Sequence, residues 1–442
     1  MTPNTSAKRI AVVGLGYAGL VIAACLAKMG YRVVGIEVNE GYLADLRSNR
    51  LPFYEPGLRE VVAQLRASGM LSLVDDPAVG VKGAYFVFLM VGTPEGTHGE
   101  VDLSQIEAAV SGLAPNIEPE TVIVIKSTVP IHTAARVRDI VKAARGPGFR
   151  FGVVSNPEFL RQGRALESFM QPDRIVIGGD DPEYVARVAE LYRDVPSPVL
   201  KTDHKTAAMI KYASNAFIAT KISFANEMAK LCDAVGVDFL TVARGIGMDP
   251  RIGAGCLEPG PGFGGSCLPK DVAALVALGQ RAGVEMILSK EVLRVNHRQP
   301  RYVFNKLRTH LGDVRGRTIT LLGLSFKANT DDVRESPALD LARILLSEGA
   351  IVHAYDPFAE PKGARLMRTV HYHPDPYEAV TGADAVVICT EWDEFQTLDL
   401  PRLRTLLAIP VLIDARNILD PQCPIRLGFR YSGIGRGNDR SA

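Results

Sequence analysis

Short apolar runs rich in valine and isoleucine alternate along the first half of the chain with segments whose apolar residues recur at helical spacing. That is the pattern of parallel strands joined by crossover helices. "RIAVVGLGYAGLVIAACLAKMGYRVVGIEVN" reads as strand, glycine turn, helix and second strand, and the runs "FVFLMVGTP", "VIVIKSTVP" and "FGVVSNPEFL" read as strands entering polar loops at Thr93, Thr128 and Glu158. From about Asp203 the pattern changes. "HKTAAMIKYASNAFIATKISFANEMAKLCDAVG" holds no proline and no glycine before Gly236, and its apolar residues keep a helical period. From about Arg317 the first pattern returns in "RTITLLGLSFKANTDDVRESPALDLARILLSEGAIVHAYDP", with an acid, Asp356, after its second strand; "ADAVVICTEWDEF" and "VLIDARN" supply later strands. The expected fold is α/β: two Rossmann-like doubly wound domains, residues 1–200 and 311–442, joined by a central helical domain, residues 201–310.

Composition narrows the class without naming a partner. With 442 residues, 47% of them hydrophobic, the chain can fill two or three cores. Its 50 basic and 49 acidic residues leave a net charge of +1, which offers no footprint for nucleic acid or an anionic membrane. The N-terminal "MTPNTSAKRI" lacks an apolar signal core, and the longest apolar run, Ala84 to Val91, is too short to span a bilayer. A soluble cytoplasmic protein is expected, with neither nucleic acid nor membrane as partner. The six cysteines, at positions 25, 232, 256, 267, 389 and 423, form no CxxC pair, as in a reducing compartment where thiols stay free.

Candidate chemistry begins at Gly14, Gly16 and Gly19, spaced GxGxxG between strand and helix, with Glu37 at the end of the second strand. Such glycines permit a tight turn, close approach of a pyrophosphate and close helix packing, while the acid accepts hydrogen bonds from a ribose diol. An acid there favours NAD over NADP. The competing account is a structural glycine turn. Thr93, Thr128 and Glu158 follow strand ends, where ligands of open α/β sheets bind, although Thr93-Pro94 and Thr128 to Pro130 also serve as turn punctuation. Lys211 and Asn215 stand four apart and so share a helix face, either as a ligand pair or as a solvated lysine beside an asparagine. In the third region the turn "GLSF" lacks the later glycines, and its loop carries Lys327 and Arg334, suited to a phosphorylated ligand.

The loop "GFGGSCLPKD", Gly262 to Asp271, fits neither a phosphate-cradling GxxxxGK[ST] nor a zinc site. Cys267 there is followed by Pro269 and Lys270, which suit a helix start and a thiolate, and the loop alone leaves a catalytic and a structural cysteine both open. A thiol has a use in an NAD enzyme. Added to an aldehyde, it makes a thiohemiacetal whose oxidation gives a thioester that water cleaves to an acid. His371 and His373 in "HYHPD" are read as surface residues with no further ligand nearby, and no metal is expected.

Motifs along nearly the whole chain resemble the nucleotide-sugar 6-dehydrogenase family: "GLGYAGL", "FYEPGL", "VGTP", "KSTVP", "NPEFLRQG", "PDRIVIG", "KYASNAFIATKISFANE", "DPRIG", "PGFGGSCLPKD", "GLSFKANTDDVRESPA", "YDP", "TEWDEF" and "DARN". The resemblance implies oxidation of a sugar C6 alcohol to a carboxylate with two NAD per sugar. It makes Cys267 the thiol, sets Lys211 and Asn215 on the C6 oxygen, gives Asp271 a share in water or proton handling, and gives Glu158 with Thr128 the activation of the hydrolytic water. Gly14, Gly16, Gly19, Glu37, Thr93, Thr128, Lys270 and Arg334 match cofactor positions. Glu158, Lys211, Asn215, the loop from Pro261 through Gly262, Phe263 and Gly264 to Gly265, Phe326, Lys327 and Arg416 match the sugar-nucleotide site, and Arg251 would reach into the neighbouring active site of a homodimer. Two positions depart from the family. Gln162 stands near the cofactor where glutamate is common, and Gly41 and Tyr42 stand where a basic residue often follows the ribose-binding acid. The third-region motifs "YDPFA", "TEWDEF" and "DARN" resemble the UDP-glucose branch more than the GDP-mannose one, and the cysteine loop resembles UDP-N-acetylhexosamine dehydrogenases less well, so UDP-glucose, a UDP-sugar, is the expected sugar nucleotide. A single-step hydroxyacid-type dehydrogenase and a non-catalytic NAD-binding regulator are the competing readings, and the tail "SGIGRGNDRSA" is expected to be disordered.

Overall fold

The computed structural model describes residues 8–96 and 99–437. By contacts the chain forms two compact units, one ending at Ser214 and the other beginning at Asn215. The boundary falls inside one helix, His204–Val235.

The first unit is built on eight strands: β1 (Arg9–Val13), β2 (Arg32–Ile36), β3 (Leu71–Val74), β4 (Phe86–Leu89), β5 (Val122–Ile125), β6 (Gly152–Ser155), β7 (Ile175–Gly178) and β8 (Val199–Thr202), in the order β3-β2-β1-β4-β5-β6-β7-β8. All neighbours run parallel except β6 and β7. Helices cover both faces of the central strands β4 and β5, which is why these are apolar without interruption rather than alternating. Successive side chains still divide between the faces. Phe86, Phe88, Val122 and Val124 pack with the helix Tyr17–Lys28, while Val87, Leu89, Ile123 and Ile125 pack with the core that includes Ile106, Val110, Val137 and Val141.

The second unit contains six parallel strands, β9 (Thr318–Leu322), β10 (Ile351–Tyr355), β11 (His371–Tyr372), β12 (Ala385–Ile388), β13 (Val411–Asp414) and β14 (Arg430–Gly433), ordered β11-β10-β9-β12-β13-β14. Both sheets reverse their winding next to their first strand, between β1 and β4 and between β9 and β12, and such a reversal opens a ligand crevice at the strands' carboxyl ends. The helices after Asn215 share a core with this sheet: Ala225, Ala229, Phe239, Val303, Phe304 and Leu307 pack with Ile319, Leu321 and Leu339. Among the described residues no helix is long and apolar enough to cross a membrane.

Two expectations need correction here. Residues Ser432 to Gly437 are not loose: Ser432 and Gly433 belong to β14, and Asp233 near the end of the long helix accepts from Gly435 N at 2.9 Å and Gly437 N at 3.0 Å. Residues 438–442 lie outside the described residues. His371 and His373 do have a neighbour, because β11 pairs with β10 and brings the His353 ring to 5.2 Å and 4.8 Å from theirs. No group of three or more metal-ligating side chains among the described residues is arranged to hold an ion.

Asp233 gathers more than the tail. Lys306 Nζ lies 2.7 Å from its carboxylate with both side chains buried, and the Tyr302 hydroxyl donates to it. Burial alone would raise this carboxyl, but the Lys306 ammonium and the donated hydrogen bonds hold it below the ordinary aspartate value. Asp233→Asn is therefore expected to cost about 3–5 kcal/mol, measured by urea unfolding, because it leaves Lys306 buried without its carboxylate. The sign with pH follows from the lowered carboxyl. The difference between wild type and variant is full above about pH 4, the unfolded aspartate value, and shrinks as pH falls through the lower folded one.

Candidate active site

In the first unit β1 delivers the chain to Gly14 at φ +89°, where a Cβ would stand 2.9 Å from Val91 N after β4. At Gly19 a Cβ would stand 1.9 Å from Gly14 O, so the helix can close on the turn only if residue 19 is glycine. Gly16 differs. It caps the helix Tyr17–Lys28 without a side-chain bond, and nothing lies within 4 Å of where its Cβ would be. Bare helix N–H groups facing open space suit a pyrophosphate. Glu37, half-buried after β2, accepts from Leu15 N and Asn39 N, each at 3.0 Å, and so stands beside the turn with lone pairs left for a ribose. These residues fit NAD. Tyr42, in the place of the expected basic residue, donates its hydroxyl to Leu15 O at 2.9 Å and braces the same turn.

Thr93 follows β4 and Thr128 follows β5, both half-buried, and Ser127 ties the two loops by donating to Val91 O at 2.8 Å. Thr128 lines a small crevice with Ser127, Pro157 and Lys211. Beyond β6, Lys211 Nζ lies 3.1 Å from Glu158 Oε1, and Leu160 N donates to Oε2 at 2.6 Å. Burial would raise the Glu158 carboxyl, yet Lys211, the Leu160 N–H and Lys126 together keep it below the usual range. Gln162 is half-buried on the loop that continues from Glu158. That loop is anchored by a residue for which no role was expected. Glu55 of "FYEPGL", 5% exposed, accepts from Gly163 N and Ala165 N, each at 2.7 Å, and from the hydroxyl of Tyr17 beside the glycine turn.

In the second unit Cys267 is exposed and immediately precedes the helix Leu268–Arg281, with Pro269 in its first turn. A thiolate there is favoured by the helix N-terminus. Lys270, expected beside the thiol or cofactor, has its Nζ 2.8 Å from Asp271 Oδ1. Asp271 is fully buried and also accepts from Asn215 Nδ2 at 2.6 Å. Asn215, Asp271 and Lys270 thus form a chain at the first turn after Cys267.

The glycine-rich approach to Cys267 is held by three amide side chains from different helices. Asn226 accepts from Gly260 N and Gln299 donates to Gly260 O, both at 2.8 Å; Asn296 accepts from Phe263 N at 2.7 Å and donates to Phe263 O at 2.9 Å. The loop also presses on the segment after β9. A Cβ on Gly264 would stand 2.1 Å from Glu335 O, one on Gly265 would stand 2.8 Å from the Phe326 ring, and Gly265 N donates to Arg334 O at 2.9 Å. Gly262 adopts φ +122°. Arg416 secures Phe326 by donating to its carbonyl at 2.8 Å and to Cys389 O at 2.9 Å, while Lys327 Nζ lies 5.9 Å from the Phe326 ring. Arg334 spreads its guanidinium over Asp332 at 2.6 to 3.1 Å, and Arg251, 88% exposed, does the same with Asp249.

Residues 8–196 match the model described as UDP-glucose/GDP-mannose dehydrogenase family, NAD binding domain; residues 205–298 match that family's central domain, and residues 320–421 its UDP binding domain. The chain belongs to the UDP-glucose/GDP-mannose dehydrogenase family. It is 44% identical over 97% of its length to the UDP-glucose 6-dehydrogenase of Rhizobium meliloti (strain 1021), covering 99% of that protein. To the UDP-glucose 6-dehydrogenase TuaD of Bacillus subtilis (strain 168) it is 42% identical, covering 97% of this chain and 93% of the relative. A solved UDP-glucose dehydrogenase from Pyrobaculum islandicum is similar with a TM-score of 0.91 at 40% identity, covering 98% of this chain and 99% of that one.

As a member of the UDP-glucose/GDP-mannose dehydrogenase family the protein is an NAD-dependent dehydrogenase, and its second sheet shows why only the first carries the dinucleotide turn. Asp356, the counterpart of Glu37, is 2% exposed and spends its carboxylate on six donors: the N–H groups of Leu324, Ser325, Phe358 and Ala359, the Ser325 hydroxyl and the Trp392 ring. No ribose can reach it.

Because the clash at Gly264 is with backbone, Gly264→Ala is expected to displace the loop leading to Cys267. NADH formation should fall by roughly a hundredfold, the scale of a small misplacement of reacting groups, with circular dichroism unchanged. Gly112→Ala, where nothing lies within 4 Å, is the control and should leave the rate as it is.

Proposed function

We propose that the enzyme oxidises C6 of UDP-glucose to the carboxylate, giving UDP-glucuronate in two NAD-dependent steps. The observation that carries this reading is the exposed Cys267 thiol at a helix start, one turn from the buried Asp271. A single alcohol oxidation needs no such thiol. The UDP binding domain and the relatives named for UDP-glucose support the choice of substrate over GDP-mannose or a UDP-N-acetylhexosamine. We keep the three-part division at 1–200, 201–310 and 311–442 as the functional one.

NAD supplies the hydride acceptor in both oxidations. Lys211 and Asn215, one turn apart on the long helix, hold the C6 oxygen and stabilise negative charge on it. Once the alcohol has become an aldehyde, Cys267 adds its sulfur to the carbonyl carbon and the oxygen takes a proton, forming a thiohemiacetal. Loss of hydride and of the hydroxyl proton leaves a thioester. Water, oriented by Glu158 and Thr128, adds to that carbonyl; the carbon–sulfur bond breaks, the thiol is regenerated and the carboxylate leaves. Asp271 fixes Asn215 and takes part in the proton relay. Lys270, Gln162 and Arg334 act on the cofactor side, and Phe326, Lys327 and Arg416 on the nucleotide.

We further propose a homodimer. Phe217, Phe224 and Leu231 repeat every seven residues on the long helix and are 66%, 46% and 53% exposed, an apolar stripe of the kind helices cover by pairing. Arg251 on the surface would then serve the neighbouring active site.

The primary test is NADH formed per limiting UDP-glucose at saturating NAD, with GDP-mannose in parallel. Two NADH are expected from UDP-glucose, and Cys267→Ser should stop before the second oxidation is complete. One NADH would sink the thioester route, and two from GDP-mannose alone would overturn the substrate. For assembly, light scattering should give a dimer for the wild type and a monomer for Phe224→Asp. A monomeric wild type would remove the role given to Arg251.

A further inference from the structure

The mechanism above gives Lys211 the C6 oxygen but does not say what fixes its ammonium in place. Glu158 supplies one contact, 3.1 Å from Nζ. The next residue supplies another, since Nζ also stands 5.3 Å from the centre of the half-buried Phe159 ring, within reach of a cation–π attraction. That ring carries a second cation. The guanidinium of Arg174, directly before β7, lies 4.0 Å from its centre, and Nη2 donates to the Ser214 hydroxyl at 3.0 Å. Ser214 stands three residues after Lys211 on the long helix, so the two are neighbours on its surface. Arg174 thus joins the two segments that meet at the lysine: the loop bearing Glu158 and the helix turn bearing Lys211.

Covering the ring does not account for an arginine here. An apolar side chain would do that without bringing a second positive charge to Phe159, but it could not also bond Ser214. A guanidinium can lie flat on a ring while its N–H bonds leave in the plane, a combination that a lysine cannot make. The arginine is itself firmly mounted. Ile175 N donates to Pro198 O at 2.9 Å, and the Ser197 hydroxyl donates to Pro172 O. Asp173 beside it accepts from Arg161 Nη2 at 2.5 Å, a mostly exposed pair that contributes little. The segment before β7 therefore grips the Glu158 loop at two successive residues, and Arg174 is the one bonded to the lysine's surroundings.

We propose that Arg174 is a positioning residue that clamps the Phe159 ring to the Ser214 turn and thereby fixes where the Lys211 ammonium meets the C6 oxygen. The proposal rests on the role given to Lys211 under Proposed function. Without the guanidinium the ring is free to turn and the loop to draw away from the helix. A displacement of about 1 Å in a group that stabilises a transition state costs on the order of a hundredfold in rate.

The test compares wild type with Arg174→Ala and Arg174→Lys for NADH formation from UDP-glucose, and repeats Arg174→Ala in a chain carrying Phe159→Leu. Arg174→Ala is expected to lower kcat by roughly tenfold to a hundredfold, with KM for UDP-glucose changing far less, because the lost interaction acts at the transition state. Arg174→Lys keeps the charge without the planar fork and should recover little of the loss. Methylguanidinium added to Arg174→Ala should return activity. In the Phe159→Leu chain the loss on removing Arg174 should be much smaller, since the ring it acts through is gone. An unchanged kcat in Arg174→Ala overturns the proposal, as do full recovery by lysine and an equal loss with and without the Phe159 ring. Should Arg174→Ala not fold, Ser214→Ala deletes the anchor on the helix and must lower kcat for the proposal to stand. Asp173→Ala, which removes only the exposed pair with Arg161, is the control and should leave kcat as it is. The parent reading has its own readout. One NADH per UDP-glucose from the wild type, or an active Lys211→Met, defeats the role given to Lys211; two NADH, an inactive Lys211→Met and an unchanged Arg174→Ala defeat only the clamp.

Discussion

A carboxylate withdrawn from water must be met by donors, and in this protein the donors are mostly backbone N–H groups of loops that would otherwise be free to wander. Glu55 pins the segment after Gln162, Asp356 pins the turn after β9, and Asp233 pins the last described residues of the chain. Asp271 completes the set with side chains rather than backbone, binding Lys270 and Asn215. Each acid is distant in sequence from at least one of its partners. Loop positions are thereby fixed by groups that are costly to leave unpaired, which is a stronger constraint than apolar packing alone places on irregular backbone.

The two sheets show how one plan yields two kinds of site. Both begin with a strand ending in a left-handed glycine, Gly14 or Gly323, pressed against the loop after the neighbouring strand. In the first unit Gly16 then leaves open space at a helix start and Glu37 keeps part of its carboxylate available. In the second, serine and phenylalanine occupy the turn, Asp356 is spent on it, and the half-buried Phe326, Lys327 and Arg416 lie beside it. The fold is shared while the ligand class changes, because the change rests on which groups the turn itself consumes.

Much of this was legible in the sequence. Uninterrupted apolar runs gave the buried parallel strands, the absence of glycine and proline gave the long helix, and the spacing of Gly14, Gly16, Gly19 and Glu37 gave the dinucleotide turn. What could not be read depended on contacts between distant segments. Asn226, Asn296 and Gln299 recognise loop peptides, and no local pattern distinguishes them from other amides. His353 becomes a neighbour of His371 and His373 only through strand pairing, and Gly435 and Gly437 are held by Asp233, about 200 residues earlier in the chain. Tyr42 reads as a missing cation, whereas the structure gives its hydroxyl a bond to the glycine turn.

The glycine turn that fits the dinucleotide and the Cys267 thiol belong to different compact units of the chain. In the proposed reaction a sugar bonded to Cys267 is anchored through its own carbon, independently of whatever occupies the glycine turn. Reduced cofactor would depart and a fresh molecule enter while the half-oxidised sugar stays bonded to the sulfur. On that proposal the enzyme would be processive over its two oxidations: the thiol would act as a tether as much as a nucleophile, and the aldehyde would not have to be recaptured from solution.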